Sequence, residues 1–202
     1  MKLKAENISF RYSPKLPFIL ENFNIELCSH ERVGIFAPSG YGKTTLCKIL
    51  SGYDQPEIGS VTLDGAPLQD FGPYCPVQMI WQHPEYALNP KLRMSHVFKE
   101  AAQIDPAVIE QLGIEKDWLQ RFPGELSGGE LQRFCIARVL GNKTKFIIAD
   151  EITTMLDPIT QSQIWNFLLS ETKRRNIGLL IVSHVSPLLD ILCTRQIKLD
   201  ID

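Results

Sequence analysis

The stretch GIFAPSGYGKTT, Gly34 to Thr45, sets two glycines, a lysine and two threonines directly behind a short apolar run. That pattern suits phosphate chemistry. Backbone N–H groups from Ser39 through Gly40, Tyr41, Gly42, Lys43 and Thr44 to Thr45 can wrap an anion, aided by the positive end of the helix they open. Lys43 is then placed to reach the β- and γ-phosphates of a nucleotide, and the Thr44 hydroxyl to ligate Mg²⁺. Ala37 stands where such loops often carry glycine. Its methyl is cheap if φ there is negative and costs roughly 1–2 kcal/mol if φ is positive.

A Gly-Lys-Thr triplet alone is weak evidence. The segment ELSGGELQR, Glu125 to Arg133, is more specific, because Leu-Ser-Gly-Gly-Glu arises by composition in fewer than about one chain in a thousand. Ser127 is a natural helix cap, and Gly128 and Gly129 let bare helix amides come close to a phosphate. Three more segments place polar residues at the ends of apolar runs. FIIADE delivers Asp150 and Glu151, LLIVSH delivers His184, and MIWQHPEYALNP delivers Gln82.

Those residues must be positioned by regular elements. Leu3, Ala5, Ile8 and Phe10, and again Phe23, Ile25 and Leu27, are spaced as strand faces. RVGIF is a strand, KTTLCKILSG a helix stopping at Gly52, and GSVTLDG a strand closed by an Asp64-Gly65 turn. From about residue 83 to 140 the pattern turns helical, in SHVFKEAAQI and ELQRFCIARVL. The last third alternates strand FIIAD, helix PITQSQIWNFLLSETKRR, strand GLLIVSH, helix SPLLDILC and strand RQIKLDI. Apolar strands alternating with amphipathic helices predict an α/β core with a parallel sheet covered on both faces. An antiparallel β subdomain is expected at the N-terminus and a short helical subdomain at 83–140, all within one domain spanning 1–202.

The chain resembles the ATPase subunit of ABC transporters over essentially its whole length. The resemblance implies a P-loop NTPase fold, ATP and Mg²⁺ as cofactors, and ATP hydrolysis coupled to transport. Asp150 takes the position that holds the Mg²⁺ shell, through water, with Thr44 and Gln82 also near the ion. Glu151 takes the general base position and His184 that of the switch histidine, so Lys43, Gln82, Glu151 and His184 form the catalytic set. Tyr12 matches the aromatic that stacks on adenine. Ser127, Gly128, Gly129 and Glu130 form the signature that faces a partner subunit's ATP, and Asp157 in TTMLD sits where the family crosses its dimer. The family usually has proline where this chain has Ile152.

The same resemblance implies partners. A second ABC ATPase subunit, a copy or a paralogue, is expected to close head-to-tail over two ATP molecules, with transmembrane permease subunits and an extracytoplasmic substrate-binding protein. Gln82 to Pro90 resembles the peptide and nickel importers, which usually read Gln-Asp-Pro and then Leu-Asn-Pro, so His83 departs from that pattern. The stretch after His184 is short for that subfamily, so its C-terminal extensions are expected to be missing.

Composition narrows the remaining choices. The net charge is −2, so no basic field invites nucleic acid, and an ABC ATPase acting on ribosomes or DNA is the less favoured alternative. The full set of catalytic residues argues against a regulatory, inactive partner. No apolar run approaches the roughly 20 residues of a membrane span, and no signal peptide is evident. The expected location is the cytoplasmic face of the cell membrane, through the permease. Five cysteines without C-x-x-C spacing read as reduced thiols.

Overall fold

The computed structural model describes residues 1–101 and 103–199. Its centre is a five-stranded sheet in the order β6-β7-β8-β3-β9, with every neighbouring pair parallel. These strands are β3 (Arg32–Phe36), β6 (Val77–Ile80), β7 (Phe146–Asp150), β8 (Gly178–Ser183) and β9 (Arg195–Lys198). A second sheet, antiparallel, has the order β2-β1-β4-β5. It is built from β1 (Lys2–Phe10), β2 (Leu20–Cys28), β4 (Ile58–Leu63) and β5 (Ala66–Pro67). The helices are α1 (Lys43–Leu50), α2 (Val97–Glu100), α3 (Pro106–Gln111), α4 (Gly128–Val139), α5 (Pro158–Arg175) and α6 (Ser186–Leu192).

Strand pleating divides the core in two. Successive side chains point to opposite faces, so Phe146, Ile148, Leu180 and Val182 join α1 and the antiparallel sheet in one cluster. Their neighbours Ile147, Ala149, Leu179 and Ile181 join α4, α5 and α6 in the other. All of β7 and β8 is buried, which is why both read as unbroken apolar runs rather than alternating ones.

The helix ends are written into the sequence. Asp157 caps α5 by accepting from the Ile159 and Thr160 amides, Pro158 opens it, and Asn176 closes it in the left-handed conformation at φ 55°. Ser127 caps α4 in a capping box, with its hydroxyl on the Glu130 amide and the Glu130 carboxylate on the Ser127 amide.

Two expectations change. The alternation of β1 breaks at a bulge between Ala5 and Ile8, where Asn7 has φ 53°; this is how Ile8 returns to the buried face despite its odd, three-residue offset from Ala5. Ser95 to Ile104 does not form one helix. A 3-10 turn at Met94–His96 leads into the single turn of α2, and Ala101 is already extended at ψ 150°. Tertiary packing sets that length: Phe98 stacks on the fully buried Phe134 of α4 with ring centroids 5.4 Å apart, and Lys99 and Glu100 face solvent. Ala102 of that segment, and Asp200 and Ile201 of the expected last strand, lie outside the described residues.

The bulge also fixes a glycine on the neighbouring strand. Gly59 has φ 92°, and a Cβ there would lie 2.3 Å from the Glu6 carbonyl oxygen. Gly59→Ala should therefore lower stability by about 2 kcal/mol or more, from backbone strain together with the clash. Urea denaturation reads this directly, and a loss below about 0.5 kcal/mol, the range of neutral surface changes, would show that the bulge relaxes freely.

Candidate functional site

Sheet order assembles the site. Strands β6, β7, β8 and β3 lie side by side and parallel, so the chain leaves all four at one edge, where α/β ligand sites form. Gln82 follows β6, Glu151 follows β7, His184 follows β8, and the loop to Lys43 follows β3.

That loop turns into α1 through Gly40 at φ 88° and Gly42 at φ 69°, the latter being the residue before the helix. Ala37 is fully buried and has no positive φ, so its methyl carries only the small cost. Tyr12, Ser39, Gly40, Gly42, Lys43, Thr44, Thr45, Gln82 and Glu151 line a cleft of about 360 Å³ together with Ile19. The Tyr12 hydroxyl lies 2.9 Å from the Thr45 hydroxyl, anchoring an otherwise exposed ring at the cleft mouth. Tyr41, although in the loop, contributes nothing to this lining.

The two oxygen donors proposed for a metal are adjacent. The Thr44 hydroxyl donates to Asp150 Oδ2 at 2.6 Å. Asp150 Oδ1 is buried and has no hydrogen-bond partner. Burial pushes the Asp150 carboxyl above its ordinary range, and the Thr44 bond opposes the shift only in part. An unmatched carboxylate oxygen beside a hydroxyl and a phosphate-binding loop fits a hard cation such as Mg²⁺, which takes one or two protein oxygens and leaves its other positions to phosphate and water. Among the described residues no cluster of three or more His, Cys, Asp or Glu forms an all-protein metal cage.

Three side chains converge on Glu151. Lys43 Nζ lies 3.1 Å from Oε1, while His184 Nδ1 lies 3.0 Å and Gln82 Nε2 3.3 Å from Oε2. Lys43 also donates to the Pro38 carbonyl at 2.8 Å. Glu151 is 9% exposed and Lys43 7%, so neither charge is left to water. Glu151 has φ 47°, a left-handed conformation that costs a non-glycine residue roughly 1–2 kcal/mol. Its amide donates to the Val182 carbonyl, and its carbonyl accepts from the Thr154 hydroxyl. The buried Trp165 indole then holds the Thr153 hydroxyl at 3.1 Å.

The other sequence-derived residues lie apart from this cleft. Ser127 to Glu130 open α4, with Gly128 having open space around its Cβ position. Asp157 spends Oδ1 on the α5 cap, and the Thr160 hydrogen bonds hold its carboxyl below the usual range. Neither segment lines the cleft. Several contacts had no sequence signal: the Tyr12–Thr45 bond, the Trp165 prop, and a set of bonds from one face of α4 to the chain around Gln82. In that set Gln132 donates to the Trp81 carbonyl, Cys135 to that of Pro84 and Arg138 to that of Ala87. The i, i+3, i+6 spacing of the donors is visible in sequence, but their acceptors are not.

Residues 20–154 match the family model described as ABC transporter. The chain belongs to the ABC transporter family. It is 30% identical over 201 residues to the nickel import ATP-binding protein NikE of Rhodospirillum rubrum, covering 90% of this chain and 72% of that one. It is 31% identical over 195 residues to the thiamine import ATP-binding protein ThiQ of Photorhabdus laumondii, covering 90% and 80%. The lipoprotein-releasing system ATP-binding protein LolD of Rickettsia conorii is 33% identical over 198 residues, with 90% and 88% covered. Among solved structures, a dimeric bacterial ABC transporter cassette superposes with a TM-score of 0.82 at 24% identity over 97% of this chain and 93% of that one, a likeness of fold. The protein is an ABC ATPase: it hydrolyses ATP, with Mg²⁺ as the companion ion, and powers transport. Its relatives are named for nickel, thiamine and lipoprotein systems alike. No helix among the described residues is long and apolar enough to cross a membrane.

Asp150 yields a pH-dependent expectation. The folded protein holds the Asp150 proton more tightly than the unfolded chain does, so its contribution falls as pH rises from about 3.8 through the raised folded value. Near neutral pH the ionised carboxylate is therefore a net burden on the nucleotide-free fold. Asp150→Asn should raise Tm there by about 2–4 °C and lose Mg²⁺-dependent hydrolysis, with the stability gain shrinking as the pH falls. An unchanged or lower Tm would contradict this.

Proposed function

We propose that this cassette closes head-to-tail on a second ABC ATPase subunit, and that Glu151 is the general base that Lys43, Gln82 and His184 keep ready. The observation that carries the reading is the convergence of those three side chains on one buried carboxylate. Without nucleotide, Lys43 satisfies Glu151 and the Pro38 carbonyl. A phosphate in the loop offers Lys43 a stronger partner, because charge-assisted bonds to phosphate are short and strong. Lys43 then leaves Glu151 Oε1 free to take a proton from water, while His184 and Gln82 still hold Oε2 in orientation. Thr44 and the unmatched Oδ1 of Asp150 are the residues that would hold Mg²⁺. Bound there, the ion supplies neutralisation of phosphate charge.

In this reading the partner subunit supplies the donors on the outer side of the cleft. Ser127 to Glu130, with Gly128 open and the amides of α4 capped only at their start, are suited to supply them to a partner's ATP. Asp157 lies on the loop that would meet that partner. Tyr12 is suited to adenine stacking, since its ring is exposed at the cleft mouth. Bound nucleotide would thus form part of the dimer interface and favour its closure.

Transmission would run through α4. Its bonds to the carbonyls of Trp81, Pro84 and Ala87 tie the signature helix to the segment that holds Gln82. Beside that segment lies a groove of about 480 Å³ lined by Tyr53, Tyr74, Trp81, Tyr86 and Arg138 among others, with Tyr86 77% exposed. This groove suits a permease segment at the cytoplasmic face of the membrane. The cargo we assign is a peptide or nickel, taken up with the help of a substrate-binding protein. The support is the Gln82 to Pro90 pattern and the likeness to a nickel import ATP-binding protein. Stimulation of ATP turnover in vesicles by a peptide- or nickel-binding protein with its permease is the expected result. Indifference to every member of those classes would remove the assignment.

Glu151→Gln tests the base directly. Turnover should fall by about 10²-fold or more, and ATP should accumulate a stable dimer measurable by light scattering. Hydrolysis at the wild-type rate would remove Glu151 from the role.

A further inference from the structure

The amino ends of β3, β8 and β9 frame a second cleft, remote from Lys43 along the same strands. Its volume is about 360 Å³, equal to that of the nucleotide cleft and within the range of about 300–1,000 Å³ common for small-molecule sites. His30, Arg32, Thr172, Lys173, Asn176 and Thr194 provide its polar lining, and no carboxylate lines it.

Among the described residues the cations lining this cleft have no ion-pair partner. Arg32 Nε is buried without a hydrogen-bond partner. Among the described residues neither the Arg32 guanidinium nor the Lys173 ammonium makes a hydrogen bond or ion pair. The neighbouring carboxylates face other partners: Glu31 Oε2 accepts from the Cys28 amide and lies 3.4 Å from Arg195, and Glu171 is held by Arg174 and Arg175. The hydroxyls are committed too. Thr172 donates to the Leu168 carbonyl at 2.7 Å and Thr194 to the Arg32 carbonyl at 2.9 Å. Asn176 donates to the Ser29 hydroxyl at 3.4 Å. The charged groups that line the cleft are all cationic, which favours an anionic ligand. A planar guanidinium and an ammonium lining one cleft suit phosphate oxygens in particular.

We propose that this cleft binds the phosphate group of a small soluble phosphomonoester, with Arg32 and Lys173 as its principal ligands and His30 at the rim. The space beyond one phosphate accommodates the rest of such a molecule. This site is separate from the nucleotide cleft and shares no residue with it.

The test uses the full ¹⁵N-labelled chain saturated with ADP and Mg²⁺, so that the nucleotide cleft is filled. Ribose 5-phosphate, inorganic phosphate and sodium chloride at matched ionic strength are titrated in turn to ~20 mM, which reaches past millimolar affinity. The Arg32 Nε–H, the His30 ring and the Lys173 amide are followed by NMR. Saturable shifts with ribose 5-phosphate, tighter than with inorganic phosphate and absent with chloride, are expected. Lys173→Ala and Arg32→Gln should each weaken binding by about tenfold or more. Lys173 is exposed, so its variant carries the test even if Arg32→Gln fails to fold. Shifts that do not saturate, that chloride reproduces, or that persist unchanged in Lys173→Ala would overturn the site. Equal affinity for the two phosphates would overturn its assignment to a monoester.

Discussion

A carboxylate only 9% exposed must be compensated by the protein itself, because water cannot do it. Glu151 is compensated from three directions, and each direction is the end of a different strand. Lys43 arrives from β3, His184 from β8 and Gln82 from β6, while Glu151 itself ends β7. The order β6-β7-β8-β3 is the arrangement that makes this possible, since it puts β7 between β6 and β8 and leaves β3 one strand further on. A displaced strand would leave a buried charge with fewer partners.

Pairing Lys43 with Glu151 gives the nucleotide-free site a defined resting arrangement. Both charges are buried, and removal of either partner would strand the other. Asp150 is the contrasting case. Its Oδ1 has no partner, so the fold carries a carboxylate oxygen that a cation in the cleft would satisfy. One carboxylate is thus held by protein groups and the adjacent one is left open, a division of labour that suits a base next to a metal ligand.

Much of this was legible in the sequence, for identifiable reasons. Lys43, Thr44, Gln82, Asp150, Glu151 and His184 stand just past apolar runs, and parallel strands bring such positions together wherever they fall in the chain. The Ser127 cap of α4 was equally readable, because it acts within one turn; Asp157 was read only for the dimer, and the structure adds its cap of α5. The bulge at Asn7 was not, since it depends on pairing with β2 and β4. Neither was the brevity of α2, where packing of Phe98 on Phe134 overrides a helical spacing. The left-handed φ of Glu151, the Tyr12–Thr45 bond and the α4 bonds to Trp81, Pro84 and Ala87 all depend on distant partners. In the sequence the cargo was signalled by one nine-residue pattern, Gln82 to Pro90, and the relatives' names divide among several cargoes.

The phosphate-loop lysine and the proposed base are coupled only if Lys43 and Glu151 are true partners in the nucleotide-free protein. A double-mutant cycle on stability, with Lys43→Met, Glu151→Gln and the double variant, measures that coupling directly. In the absence of nucleotide it should be favourable by about 1–3 kcal/mol, and it should fall toward zero when a non-hydrolysable ATP analogue with Mg²⁺ draws Lys43 to phosphate. Additive single effects without nucleotide, or a coupling unchanged by the analogue, would contradict the exchange of partners on which the proposed mechanism rests.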